Sequence, residues 1–328
     1  MMIKLIYPAF WAKNGIISFL LTPLSWIYRL LGFLRRKLAR PIRFDSVVIC
    51  VGNISVGGTG KTQIVLSLAK QFKEEKVDFL VVTKGYGSTL DGARLLERTD
   101  IAAEVGDESV LLSEFAPVVA AKNIRALIPI IKTKKPAVII FDDGLQNPNF
   151  IKDLTIVVID SSRGIGNGKI FPAGPSRQSA DSAIESADII TMVGNSPSQD
   201  LALINQIKRS GKPFVRARSQ LETNIDKTKH YYAFTAIGDP DRFYNLLKEQ
   251  NIIVKKTESF PDHHNYSEKE IDGLKTIARQ NDYSLITTKK DYVKISNKEQ
   301  IICADVSLDF ENKQRFFQLI YEKLYKTS

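Results

Sequence analysis

Two groups of residues could do chemistry together. The first is Ser55-Val56-Gly57-Gly58-Thr59-Gly60-Lys61-Thr62. Glycines at this spacing let backbone N–H groups turn inward around phosphate oxygens. Lys61 would reach the β- and γ-phosphates of a nucleotide, and the Thr62 hydroxyl would bind Mg²⁺. The usual first glycine is replaced by Ser55. The second group is Asp142 and Asp143, which close the apolar run AVIIFDDG. A carboxylate at the end of a core strand, beside a phosphate loop, holds or orients Mg²⁺ directly or through water. Asp-Gly also favours a turn by itself. Which of the two carboxylates is nearer the metal stays open. ATP and Mg²⁺ are the implied co-substrate and cofactor.

The elements that must position these groups follow from the apolar pattern. Residues 47–51 (VVICV) read as a buried strand leading into the glycine-rich loop, and an amphipathic helix runs from Lys61 to about Phe72. That strand–loop–helix context is what a phosphate-binding loop requires. Further strands are expected at 79–83, 118–121, 137–141, 155–160 and 188–193. Such short, wholly apolar runs suit a mostly parallel sheet with helices on both faces, a P-loop NTPase-like α/β fold. Residues 213–219 and 231–237 read as strands linking to a second unit. From 223 onward a smaller α/β domain is expected: helix 239–249, strand 252–257, helix 267–279, strands 284–288 and 301–307, and helix 311–325. The expected division is therefore 1–43, 44–222 and 223–328.

The 328 residues carry a formal net charge of +10, unevenly placed. Residues 1–43 contain Lys4, Lys13, Arg29, Arg35, Arg36, Lys37, Arg40 and Arg43 and no acid, which leaves the rest at +2. A nucleic-acid binder spreads its basic residues over a folded face. Here they flank the charge-free run Asn14–Tyr28, broken by Pro23. At 15 residues the run is shorter than the roughly 20 a spanning helix needs. Trp11, Trp26, Tyr7 and Tyr28 favour headgroup depth. The segment reads as a membrane-associated helix pinned to anionic lipid of the cytoplasmic leaflet, peripheral or monotopic, with a packed core helix as the alternative. The two cysteines, Cys50 and Cys303, have no metal-type spacing and suit a reducing compartment.

The words VGNISVGGTGKT, KGYG, VGDE, FDDGLQ, GNGKIFPAGPSRQ, IGDPDRF, PDHH and TTKKD occur in one order. This series, from about residue 47 to 294, resembles the tetraacyldisaccharide 4′-kinase family. The resemblance implies transfer of the ATP γ-phosphate to the 4′-hydroxyl of an acylated glucosamine disaccharide 1-phosphate, in lipid A synthesis at the cytoplasmic face of a bacterial inner membrane. It implies two α/β domains with the site in the cleft between them. It places the proton-accepting role on Asp107 of VGDE, aided by His263 of PDHH. From the residues alone, Asp107 could instead cap the helix that follows. His263 and His264, being adjacent, cannot share one face, so only His263 is assigned to the reaction. Arg177 is suited to a phosphate or to charge developing in transfer, although the residues alone also allow a solvated loop arginine. Lys84 and Tyr86 of KGYG are candidates for substrate contact. The sequence departs from the family pattern at several positions. Gln63 stands for Pro, Lys84 for Arg, Gln178 and Lys289 each for an acid, and Leu145 and Asn147 alter DDGFQH.

A guanine-reading switch protein is the main rival, since Thr288-Lys289-Lys290-Asp291 matches [NT]KxD. However, Asp143 is followed directly by Gly144, where such a protein needs Asp-x-x-Gly. The other rival is a membrane-recruited ATPase that phosphorylates nothing. A GxGxxG dehydrogenase reading has no support.

Overall fold

The computed structural model describes residues 7–196 and 200–326; Lys4 of the basic segment lies outside them. Among the described residues thirteen strands form two sheets. They are β1 (Val47–Asn53), β2 (Phe79–Thr83), β3 (Ala93–Leu95), β4 (Val118–Ala121), β5 (Val138–Asp142), β6 (Leu154–Asp160), β7 (Ile189–Val193), β8 (Phe214–Leu221), β9 (His230–Thr235), β10 (Ile253–Ser259), β11 (Ser284–Thr288), β12 (Ile301–Ala304) and β13 (Val306–Phe310). The larger sheet has the order β13-β8-β7-β6-β1-β5-β2-β4-β3, and the smaller β10-β9-β11-β12.

In the larger sheet β1 lies between β5 and β6, parallel to both. Strands β2, β5 and β6 are buried at every residue, because helices cover both faces of the sheet. The helix Lys61–Glu74 sends Ile64, Val65, Leu68 and Phe72 into one core layer. On the opposite face Leu127 and Ile131 pack with Ile139 and Phe141. Only the edges, β3 and β13, are antiparallel. The three-residue β3 was not expected, since Ala93–Leu95 is half-exposed and too short for a periodic signal.

The expected strand 301–307 is two strands in different sheets. β12 pairs with β11, and β13 pairs antiparallel with β8. The break is at Asp305, whose N–H donates to Thr223 Oγ1 at 2.9 Å and whose carbonyl accepts from Glu222 N at 2.9 Å. The helix Lys313–Lys326 then packs Phe316, Phe317 and Ile320 into the larger sheet's core. Residues 306–326, expected on the smaller unit, thus lie on the larger one. A periodic pattern marks a strand but not the sheet it joins.

The N-terminal run forms two helices, Ile16–Leu20 and Thr22–Leu38, with Pro23 in the first turn of the second. Proline there costs no hydrogen bond. Their polarity is reversed. Ser18 and Ser25 face the protein and donate to the carbonyls of Ala173 and Ile170, both at 2.7 Å. The apolar side chains face outward: Ile16 is 80% exposed, Phe19 73% and Trp26 67%. Trp11, expected at headgroup depth, is instead buried, and its indole N–H donates to the Pro172 carbonyl at 2.9 Å. Tyr7 lies under the Arg163 guanidinium. No helix among the described residues is long and apolar enough to cross a membrane.

Candidate active site

β1 ends at Asn53, and its chain continues through Ser55–Gly60 into the helix that starts at Lys61. Gly60 caps this helix at φ 89°, and a Cβ there would sit 2.8 Å from Val193 Cγ1. Glycine is therefore required on both counts. Asn53 braces the loop from within, its Nδ2 donating to the carbonyl of Ser55 at 2.5 Å and of Gly57 at 3.5 Å. The segment 169–178 runs alongside. Val56 N donates to Pro175 O, and Arg177 N to Ile54 O.

At the end of β5 the two carboxylates differ. Asp142 is buried; its Oδ2 accepts from Thr62 Oγ1 at 3.2 Å, and its Oδ1 has no hydrogen-bond partner among the described residues. Burial first, then the Glu108 charge, push its carboxyl well above the usual range. Asp143 adopts φ 58°, a left-handed conformation Asp tolerates. It meets Lys61 Nζ at 3.8 Å, Lys84 Nζ at 2.9 Å and Arg177 Nη1 at 3.0 Å. Burial alone would raise its pKa, but the three cations hold it well below the usual carboxylate range. The donor set fits Mg²⁺. A hydroxyl and an unpaired buried carboxylate oxygen adjoin a phosphate cradle, and Mg²⁺ needs only one or two protein carboxylates beside phosphate oxygens.

A second cluster joins the two sheets. Asp107 opens the helix Asp107–Ser113 on the larger unit. His263 follows β10 on the smaller one, and its Nδ1 lies 2.9 Å from Asp107 Oδ2. Asp107 Oδ1 accepts from Glu108 N at 3.0 Å, so the carboxylate also serves its own helix. Burial would raise the Asp107 pKa, but the His263 hydrogen bond and the Lys290 charge bring it down to about 2. Lys290 Nζ is 3.6 Å from Asp107 Oδ2. The Tyr86 ring packs on His263 at 5.1 Å between centroids. Gly106, at φ 91°, lets the VGDE and KGYG loops meet, since a Cβ there would be 2.8 Å from Tyr86 O. His264 turns away to Glu270 Oε1 at 3.0 Å and stacks on Phe260.

The structure thus gathers Lys61, Lys84, Arg177 and Asp143 at the phosphate loop, with Thr62 on Asp142, and brings Asp107, His263 and Tyr86 together. Sequence reasoning missed Asn53 and Lys290. It also missed a latch from IGDPDRF. Arg242 donates to Asp160 Oδ2 at 3.1 Å and to Gly58 O at 3.4 Å, and Arg163 pairs with Asp239 at 2.7 Å. Asp239 and Arg242 lay inside a recognised word, Asp160 and Arg163 in none, and only the fold brings them to the loop. Asp291 of TTKKD does not read a base. It is buried and bonds Thr235, Thr288, Ala236 N and Lys294.

Fold and candidate site are those of a P-loop α/β phosphotransferase. A family model described as Tetraacyldisaccharide-1-P 4′-kinase matches residues 17–325. The "Tetraacyldisaccharide 4′-kinase" of Rickettsia bellii is 45% identical over 326 residues, 99% of each chain. That of Rickettsia conorii is 46% identical over 326 residues, again 99% of each. The crystal structure of LpxK from Aquifex aeolicus in complex with ATP aligns with TM-score 0.76 and 25% identity, covering 94% of this chain and 100% of that one. The chain belongs to the tetraacyldisaccharide 4′-kinase family.

Proposed function

We infer that this protein transfers the γ-phosphate of ATP to the 4′-hydroxyl of a tetraacyldisaccharide 1-phosphate, a step of lipid A synthesis. The observation that carries the reading is the Asp107–His263 pair, assembled from both units, in a chain of this family with a phosphate loop of the right chemistry. The smaller sheet unit acts as the closing domain. ATP phosphates lie on the N–H groups of Val56–Thr62, with Lys61 and Arg177 taking the charge that develops. Thr62 and Asp142 or Asp143 would hold Mg²⁺, which would supply charge neutralisation at the phosphates. Lys84 and Tyr86 contact the acceptor. As the new O–P bond forms and the bond to ADP breaks, the hydroxyl proton passes to the pair, with Asp107 as the acceptor aided by His263. A pair split across two units assembles only on closure, which limits ATP hydrolysis without acceptor.

The outward apolar face of the helices 16–20 and 22–38 supports a place on the cytoplasmic leaflet of the inner membrane. Arg35, Arg36, Lys37 and Arg40 at its end meet anionic lipid. No nucleic acid is involved. The test is transfer of label from γ-labelled ATP to purified disaccharide 1-phosphate lipid in micelles, with excess unlabelled GTP as competitor. Labelled lipid insensitive to GTP supports the reading; ATP turnover that ignores the acceptor contradicts it.

A further inference from the structure

The sequence TTKKD places two lysines side by side, and both reach from the smaller unit to the helix that carries Asp107. They end in different surroundings. Lys289 Nζ lies 3.1 Å from Glu114 Oε2 and 3.0 Å from Asp305 Oδ2, over the Phe115 ring and away from the proton-accepting pair. Lys290 Nζ lies 3.6 Å from Asp107 Oδ2, 3.8 Å from Glu108 Oε1 and 3.9 Å from Asp262 Oδ1. Its side chain is 19% exposed, against 6% for Asp107.

We propose that Lys290 is a positioning residue for phosphoryl transfer, an ammonium fixed beside the Asp107–His263 pair that holds Asp107 ionised and sets the pH at which the pair accepts a proton. This rests on the assignment of that pair as the proton acceptor. The neighbouring charges are all accounted for. The Asp107 helix contributes Asp107 and Glu108, the loop after β10 contributes Asp262 and His263, and the segment after β11 contributes Lys290, Asp291 and Lys294. Asp291 is occupied by Lys294 at 2.9 Å. Lys290 is therefore the cation nearest the pair. Burial would lower its pKa, but Glu108, Asp107 and Asp262 outweigh this and raise it, so it stays charged. A cation there opposes a proton arriving on Asp107. The pair stays ready as acceptor to lower pH than it would alone.

Asp291 supports this placement. Its carboxylate binds Ala236 N at 3.0 Å, and Ala236 O accepts from His263 N at 3.1 Å. The same buried carboxylate therefore anchors both the short helix of Lys290 and the turn of His263.

The test is kcat/KM against pH, from about pH 3 to about pH 9, on the full chain with ATP–Mg²⁺ and the disaccharide 1-phosphate lipid in micelles. Lys290→Met should move the acidic limb upward by about 1–2 pH units, since an adjacent opposite charge shifts a carboxylate by that order. Lys290→Arg, which keeps the charge, should restore the limb. Lys289→Met also removes a contact between the units but should leave the limb in place. Lys290→Gln is read the same way should the Met variant not fold. An unshifted limb in a folded neutral variant, or an equal shift in Lys289→Met, overturns the proposal. An Asp107→Asn enzyme of normal rate would instead overturn the pair as acceptor. A dead Asp107→Asn enzyme beside an unshifted Lys290 limb overturns only the role given to Lys290.

Discussion

Replacing Asp107 by Asn separates the chemical role of this carboxylate from its structural one. The side chain keeps its shape, and its oxygen still accepts from Glu108 N, at 3.0 Å in the native protein. What disappears is the charge facing His263 and Lys290. Folding moves the Asp107 pKa from 3.8 to about 2, worth about 2.5 kcal/mol at about 1.4 kcal/mol per pH unit. Because the folded pKa is depressed, this stability is present above pH 3.8 and fades as the pH falls toward about 2. The Asn variant should therefore unfold at lower urea near neutral pH, by about 2–3 kcal/mol. The gap to the native protein should narrow below about pH 4. Loss of a positioned base should lower kcat by about 10²–10⁴-fold and leave ATP affinity nearly intact. His263→Ala should do likewise, and the double variant should cost far less than the product of the singles. A helix-capping role alone predicts little lost stability, because Asn caps about as well as Asp, and normal turnover. An Asp107→Asn enzyme that melts early but turns over at the native rate would refute the reasoning.

Lys61→Ala and Thr62→Ala should each abolish most transfer while the far-ultraviolet circular dichroism stays native, because charge neutralisation and Mg²⁺ placement supply nearly all catalysis in phosphoryl transfer. Native turnover in Lys61→Ala would end the phosphate-loop reading. Changing Arg35, Arg36, Lys37 and Arg40 to Gln should weaken sedimentation with anionic vesicles, at about 1 kcal/mol per charge, and ATP binding should persist. Unchanged vesicle binding would place the anchor elsewhere. Gly106→Ala puts a methyl 2.8 Å from Tyr86 O at φ 91°. It should cost about 1–3 kcal/mol in urea unfolding and lower kcat, as the VGDE loop shifts from His263; a native urea midpoint would show that the loops can part at no cost.

The phosphate loop, Asp142 and the central strands were legible because their signals are local. β1 opens on the unbroken apolar run 47–51, and glycine spacing reports backbone conformation directly. Asp107 and His263 were legible only through the ordered family words, since nothing in their own neighbourhoods says that they meet. The return of residues 306–310 to the larger sheet was not legible, because β12 and β13 read as one strand until Asp305 is pinned by Thr223. The N-terminal helices were half legible. Their apolar content was plain, yet the side that docks is set by Ser18 and Ser25, two small hydroxyls no hydropathy pattern marks as buried. Trp11 misled for the matching reason, since an amphipathic ring suits a lipid interface and a protein pocket equally well.

The most direct test of the central claim is the position of the phosphate on the product. The purified protein, ATP, Mg²⁺ and disaccharide 1-phosphate lipid in micelles should yield a bis-phosphorylated lipid. In its phosphorus–proton correlation spectrum the new phosphate should couple to the proton at carbon 4′ of the distal sugar. Phosphate on any other hydroxyl, or ADP formed with the lipid unchanged, would contradict the account.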